Sequence, residues 1–366
     1  MTASVPLPSA GAEDRPPTRG AGPLAWLRAN LFNSWFNGIL TVLAIYVIAR
    51  VGWYLLRWGF IDAVWTGTSA QCHAASGACW ALISVKYRQI LFGTYPYDQQ
   101  WRGGALIFLF VAMLGVSCVR AWWNRWLLLA WAVALVVMAW LMLGGLGLPF
   151  VSTSYWNGLP ITIIFAAYSL VFAFPLAILL ALGRRSHLPI VRSFSVAYIE
   201  LIRGVPLISI LFMAAAMFPL FMPAGSDIDP LIRVLVGTIF FAAAYMAEVI
   251  RAGLAALPRG QYEAGEALGL TYMQRTGFII MPQALKTVIP PMVNTFISTF
   301  KNTTLLIIIG LYDFLGTGKL ATTEPAWRAF SAEAYVFVAL VFFAFCFFMS
   351  KFSQYLESVL RRGTTR

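Results

Sequence analysis

Charge is what this chain lacks. Asp, Glu, Lys and Arg together make up only 11% of its 366 residues, against about 25% in an average soluble domain. With 60% hydrophobic residues and a mean hydropathy of +0.77, so few charges cannot coat a soluble fold of this size. Histidine is nearly missing, with only His73 and His187, and no His, Cys or carboxylate cluster has metal-ligand spacing. Ionisable groups within apolar runs are equally rare: Glu248 and Lys301 qualify, each nearer a run's end than its middle. A proton relay or ion-coupling path needs such groups at mid-membrane depth. A membrane-embedded enzyme needs acids, histidines or a nucleophile gathered near one interface. These absences count against an ion-gradient secondary transporter of small polar solutes, which would also show inverted repeats, and against a membrane enzyme. A phosphate-binding loop is missing too. Gly316-Thr317-Gly318-Lys319 hints at one, but Leu320 stands where Ser or Thr is required. No catalytic residue, metal or cofactor is therefore expected on this chain.

Long apolar runs are what it has. A stretch of about 20 residues crosses a bilayer core, and such stretches occur near 31–49, 104–119, 126–145, 158–182, 203–222, 231–250, 284–309 and 333–351. The expected fold is all-α and polytopic, with about eight transmembrane helices. The formal net charge of +12 follows from sidedness rather than from nucleic-acid binding. With both termini on the cytoplasmic side, the inner segments hold about twice as many Lys and Arg as the outer ones. Residues 1–30, rich in Pro, Ala, Gly and Arg, read as a disordered cytoplasmic tail, and residues 31–150 as a three-span extension with an outer loop at 50–103. Within that loop, Cys72 and Cys79 flank Gly77 in the run CHAASGAC. In an oxidising compartment they can form a disulfide, and unpaired thiols are the alternative. Cys118 and Cys346 sit in spans as small apolar packers.

The most informative segment is the inner loop at 251–283. Pro258 can end one helix, and Gln261–Leu268 can form a short one stopped by Gly269. Its small residues Ala264, Gly265 and Ala267 let another backbone approach closely. With Glu263, Glu266 and Arg275 around them, they suit a knob for a groove in a soluble partner. An amphipathic connector resting on lipid headgroups has the same composition.

Glu263-Ala264-Gly265, with Gly269, Ile279 and Pro282 following at set spacing, resembles the EAA loop of the permeases of bacterial ABC importers. Gly265 stands at the usual second alanine and Met281 at the usual leucine, both conservative in size or polarity. The runs Ala247–Gly253, Leu257–Gln261, Arg203–Leu207 and Phe300–Leu305 resemble the polar amino-acid permeases within that group. The extension resembles that of the longer permeases of general L-amino-acid importers. The resemblance implies that residues 151–366 form a five-span type I permease core. It further implies a bacterial inner-membrane protein, with Glu263, Ala264, Gly265, Glu266, Gly269 and Pro282 coupling to a dimer of ATP-binding cassette subunits. ATP and Mg would be held by those subunits. A second homologous permease, in a heterodimer, and a periplasmic amino-acid-binding protein would complete the assembly in the lipid bilayer.

Two further groups of residues stand out. Lys301, Asn302, Thr303 and Thr304 offer polar donors near the outer end of a span, suited to a substrate carboxylate. The alternative has Lys301 reaching the outer headgroups or pairing with Asp313. Glu248 and Arg251 are three residues apart near an inner helix end, as a gate or a helix-end pair.

Overall fold

The computed structural model describes residues 22–223, 225 and 228–361. Apart from isolated bridge residues, among them Gly145–Leu148 and Gly158–Asp313, these residues are helical or irregular, and they divide into two units. Of the described residues, the first holds 22–65 and 71–78. In it, α1 (Pro23–Asn30) leads into α2 (Trp35–Leu56), which Ser34 caps by accepting from the Asn37 N–H. A π turn, Arg57–Ile61, extends α2, so Arg50 and Arg57 lie on the helix rather than beyond it. The expected tail at 1–30 lies outside the described residues up to 21, and its last part is the helix α1 rather than disordered chain. Gly77 folds back so closely that a Cβ there would sit 2.1 Å from the Asp62 carbonyl oxygen. No residue of α2 is buried. Cys72 and Cys79 are disulfide-bonded, whereas Cys118 and Cys346 are free.

The described residues of 66–70 and 79–361 make up the second unit. After α3 (Ser69–Ala74), which straddles the unit boundary, come α4 (Ala81–Phe92), α5 (Gln100–Ser117), α6 (Arg125–Leu143) and α7 (Gly158–Arg184). Then follow α8 (Pro189–Gly204), α9 (Leu207–Phe212), α10 (Pro230–Ala256), α11 (Arg259–Ala267), α12 (Tyr272–Gln274), α13 (Met281–Asn302), α14 (Phe314–Ala321) and α15 (Ser331–Arg361). Among the described residues, 7 helical runs are long and apolar enough to cross a membrane, or up to 8 if the bent pair α8–α9 counts as one. This agrees with the expected polytopic fold, with one correction. The run near 203–222 is not one straight span: Leu207–Phe221 follows α8 at a bend of 103°. Pro206, which lacks an amide donor, starts the new direction.

The core has two parts threaded by α7. Toward its start, Leu159, Ile161, Ile163 and Phe165 pack with Leu106, Met138, Phe300 and Phe314. Toward its end, Ala173, Ala177 and Ala181 meet Ala242, Ala243, Ala247 and Ala284. Small side chains there let backbones approach closely; a Cβ on Gly253 of α10 would lie 2.2 Å from Val288 Cγ1 of α13.

Within the second unit, the chain around α4 is joined to this core where α7 begins. Asn157 accepts from the Tyr312 N–H at 2.7 Å and donates to Thr94 Oγ1 at 2.6 Å. Thr317, in the run that mimics a phosphate loop, is buried and donates to the Ile90 carbonyl at 2.6 Å. Arg102, expected as an outer-loop charge, is instead 0% exposed. It donates to the carbonyls of Leu141 and Pro149, and so satisfies the free carbonyl end of α6.

At the same end, Asp313 caps α14 by accepting from the Gly316 N–H. Burial pushes its carboxyl up from the ordinary 3.8 against the pull of the Gly316 and Leu315 amides and the Thr303 hydroxyl. A raised carboxyl pKa adds stability that is full below 3.8 and fades as pH rises through the folded value. Asp313→Asn keeps a good capping oxygen and removes the charge. Melting temperature measured across that window should then become flatter with pH; an unchanged profile would show the carboxyl is not the source.

Candidate functional site

Helices α7 and α10 end, and the run into α13 begins, at the end of the bundle opposite the Gly158–Asp313 bridge. Here the chain between Leu257 and Thr271 protrudes. The non-helical part of the expected 251–283 loop is shorter than anticipated, because α10 continues to Ala256 and the run Tyr272–Ile309 is helical for 38 residues. Pro282 therefore lies inside that run, where the π turn Arg275–Ile280 passes into α13, and its missing amide falls at this junction.

Between them stands α11. Its end follows from one residue: Gly269 adopts φ +71, a left-handed conformation that glycine reaches without steric cost. The Leu270 N–H then bonds to the Gly265 carbonyl at 3.2 Å and the Gly269 N–H to the Glu266 carbonyl at 2.9 Å. This pair is the Schellman termination. The next turn starts at once, with Thr271 and Gln274 forming a reciprocal capping box.

Behind α11 is a brace. Gly265 is buried, and a Cβ on it would meet Arg275 Cγ and Cδ at 2.9 Å. Arg275 ion-pairs with Glu266 and donates to the Tyr262 carbonyl at 3.4 Å. The Tyr262 hydroxyl donates to the Leu254 carbonyl at 2.9 Å and accepts from Arg185 at 3.0 Å. In front, Glu263, Ala264, Glu266 and Gly269 are exposed, with Leu268 76% and Met273 79% exposed. The expected set thus splits. Gly265 faces inward and supports the helix, because only a glycine leaves room for the arginine stem. The exposed residues form a small apolar knob edged by carboxylates. Leu268 and Met273 are the parts of it that the sequence reading missed; large apolar residues flanking a stretch of small ones were the available signal.

A second constellation lies at the same end. Glu248 holds Arg251 at 2.6 Å and Arg184 at 3.4 Å, and lies 3.9 Å from Arg203. Glu200 shares the same Arg184 Nη1 at 2.8 Å. One carboxylate thus joins α7, α8 and α10, rather than closing a local pair with Arg251 alone. Arg203 also stacks 5.5 Å from the Tyr245 ring. Arg184, Arg203 and Glu200 escaped the sequence reading because their contacts span up to 64 residues of chain.

The four candidate substrate residues are not equivalent. Thr303 is 0% exposed, and its hydroxyl is taken up by the Phe300 carbonyl at 2.8 Å and the Asp313 carboxylate. Thr304 donates to the Lys301 carbonyl at 3.2 Å. Lys301 is exposed at the end of α13. Among the described residues it forms no ion pair, with Asp313 or any other acid.

Residues 173–362 match the family model described as the inner membrane component of binding-protein-dependent transport systems. The chain is 48% identical to the inner membrane amino-acid ABC transporter permease protein YhdY of Escherichia coli K12, over 93% of this chain and 94% of the relative. It is 37% identical to the glutamate/glutamine/aspartate/asparagine transport system permease protein BztC of Rhodobacter capsulatus, over 94% and 95%. The probable glutamine ABC transporter permease protein GlnP of Bacillus subtilis is 29% identical over 55% of this chain but 91% of its own length. The extension is thus shared with the first two relatives, while the third matches little beyond the core. This chain, a multi-pass membrane protein, belongs to the family of inner membrane components of binding-protein-dependent transport systems.

Proposed function

We propose that the chain is the permease subunit of an ATP-driven importer that moves L-amino acids, with broad specificity, from the periplasm to the cytoplasm. The observation that carries this reading is the braced α11 with the turn that follows it, where exposed Ala264, Leu268 and Met273 form an apolar knob backed by the contacts of Tyr262 and Arg275. A rigid knob on a membrane protein transmits motion imposed by a soluble partner; a loosely tethered one does not. The partner is a dimer of ATP-binding cassette subunits, which hold ATP and Mg, while this chain binds no cofactor and catalyses no reaction. A second homologous permease, in a heterodimer, completes the pathway, and a periplasmic binding protein delivers the amino acid. Both termini lie in the cytoplasm, which puts α11 beside the ATPase. Broad specificity is supported by the relatives that share the extension, one of them named for four different amino acids. Lys301, exposed and in no ion pair among the described residues, would with Asn302 and Thr304 meet a substrate carboxylate.

The test is reconstitution of the assembly in vesicles with internal ATP. Uptake of several L-amino acids should require ATP and the binding protein, and should not follow an ion gradient. Stimulation by a sugar or a metal chelate alone would overturn the substrate assignment. Gly269→Asp places a side chain and a charge at φ +71, where an L residue is strained by about 1 to 2 kcal/mol. It should leave the subunit in the membrane but reduce substrate-stimulated ATP hydrolysis at least tenfold. Normal coupling in this variant would show that α11 does not dock.

A further inference from the structure

We infer that the corner between α7 and α8 is a binding site for the headgroup of an anionic phospholipid. Three observations meet there. First, Arg184, Arg185, His187, Arg192 and Ser193 line an open basin of about 660 Å³ whose wall contains no acidic residue. Arg184 is engaged by Glu200 and Glu248, and Arg185 by Tyr262. Arg192 makes no ion pair among the described residues.

Second, α8 lies across the end of the bundle rather than along it. Ser195 packs on Gly183, where a Cβ would come 2.3 Å from its hydroxyl oxygen, and the Tyr198 hydroxyl donates to the Phe240 carbonyl at 2.9 Å. The chain then turns by 103° into the next apolar segment. Third, the outer face of α8 is apolar: Leu188, Ile190, Phe194 and Leu201 are 64%, 84%, 67% and 68% exposed. Large apolar side chains in that density, at the end of a spanning helix, need acyl chains around them. The arginines beside them therefore sit at headgroup depth, where basic pockets between membrane helices suit a phosphate-bearing lipid. A soluble partner would cover the basin but leave this apolar face unsatisfied.

The site also has a route to α11. Arg185 borders the basin and bonds to Tyr262, whose hydroxyl and carbonyl belong to the brace. A headgroup drawing on Arg185 would therefore adjust how firmly α11 is held.

The experiment uses the full chain in detergent micelles, with native mass spectrometry to follow retention of phosphatidylglycerol and of phosphatidylcholine. The wild-type chain should retain phosphatidylglycerol in preference. Arg192→Gln should weaken that retention about five-fold and leave phosphatidylcholine unchanged. Arg192→Lys should preserve the preference, which separates charge from folding, and Arg328→Gln, an exposed arginine elsewhere, should have no effect. An unchanged preference in Arg192→Gln, or an equal loss in Arg328→Gln, overturns the site. Competition by inorganic phosphate at the same concentration as the lipid would reduce it to a free-anion site. Displacement of the lipid when the ATP-binding subunits assemble would assign the corner to them instead. Lipid retention is read without transport, so failure of the importer reading would leave this result standing.

Discussion

Glu248→Ala should destabilise the subunit and abolish coupled transport together. The substitution leaves Arg184, Arg203 and Arg251 facing one another with their shared carboxylate gone. Removing one partner of a buried ion pair costs about 3 to 5 kcal/mol. Here the Glu248 side chain is 25% exposed and the three arginines 24% to 35%, so screening lowers the expectation to about 2 to 3 kcal/mol. Thermal unfolding in detergent would read this as a clear drop in midpoint. Glu248→Asp separates charge from reach. It keeps the negative charge but is one methylene shorter, so the contact with Arg251 can persist while those at 3.4 and 3.9 Å lengthen. Partial recovery of stability without recovery of transport would identify the link between α7, α8 and α10 as the functional part. Wild-type melting and transport in Glu248→Ala would sink the role given to this cluster.

The second large effect is expected from Gly158→Val, at the other end of the bundle. Gly158 has φ +75, and any Cβ would lie 2.1 Å from the Leu91 carbonyl oxygen. Backbone cannot swing aside as a side-chain tip can. The left-handed conformation costs a β-branched residue at least about 1 to 2 kcal/mol, and overpacking adds about 1 to 3 kcal/mol. The substitution also strikes the seam where Asn157, Thr94 and Thr317 hold the chain around α4 on the core. Membrane levels of the variant should fall several-fold in a quantitative blot. Levels equal to wild type would mean that α4 is free to shift away from the start of α7.

Much of this architecture could be read in the sequence because lipid imposes a simple code of length and apolarity. Seven of the spans, and the short helix stopped by Gly269, follow from that code and from one glycine. The segment around Pro206 did not, because composition gives no direction: apolar residues in α8 and beyond it look alike, although one helix crosses the bundle end and the next follows it inward. The inward position of Gly265 was not legible for a related reason. Smallness was legible, but which side of the helix needed the space depended on Arg275, ten residues later in the chain. Arg102 shows the same limit for charge. An arginine between spans counts as an exposed loop residue until the carbonyls of Leu141 and Pro149 are found around it.

On the proposed docking of α11, the 38-residue helical run from Tyr272 to Ile309 would act as a lever arm. At 1.5 Å per residue, Lys301 lies about 45 Å from the end beside α11. A tilt of 5° about that end would displace Lys301 by about 4 Å, more than the length of a hydrogen bond. Pro290 and Pro291 fall between the two ends, and a proline removes a backbone bond and lets a helix flex. Stiffening that joint with alanines should send more of any stroke at α11 through to Lys301, whereas loosening it further should absorb the stroke on the way. Two adjacent residues would then set the gear ratio between the soluble machinery and the membrane-spanning path.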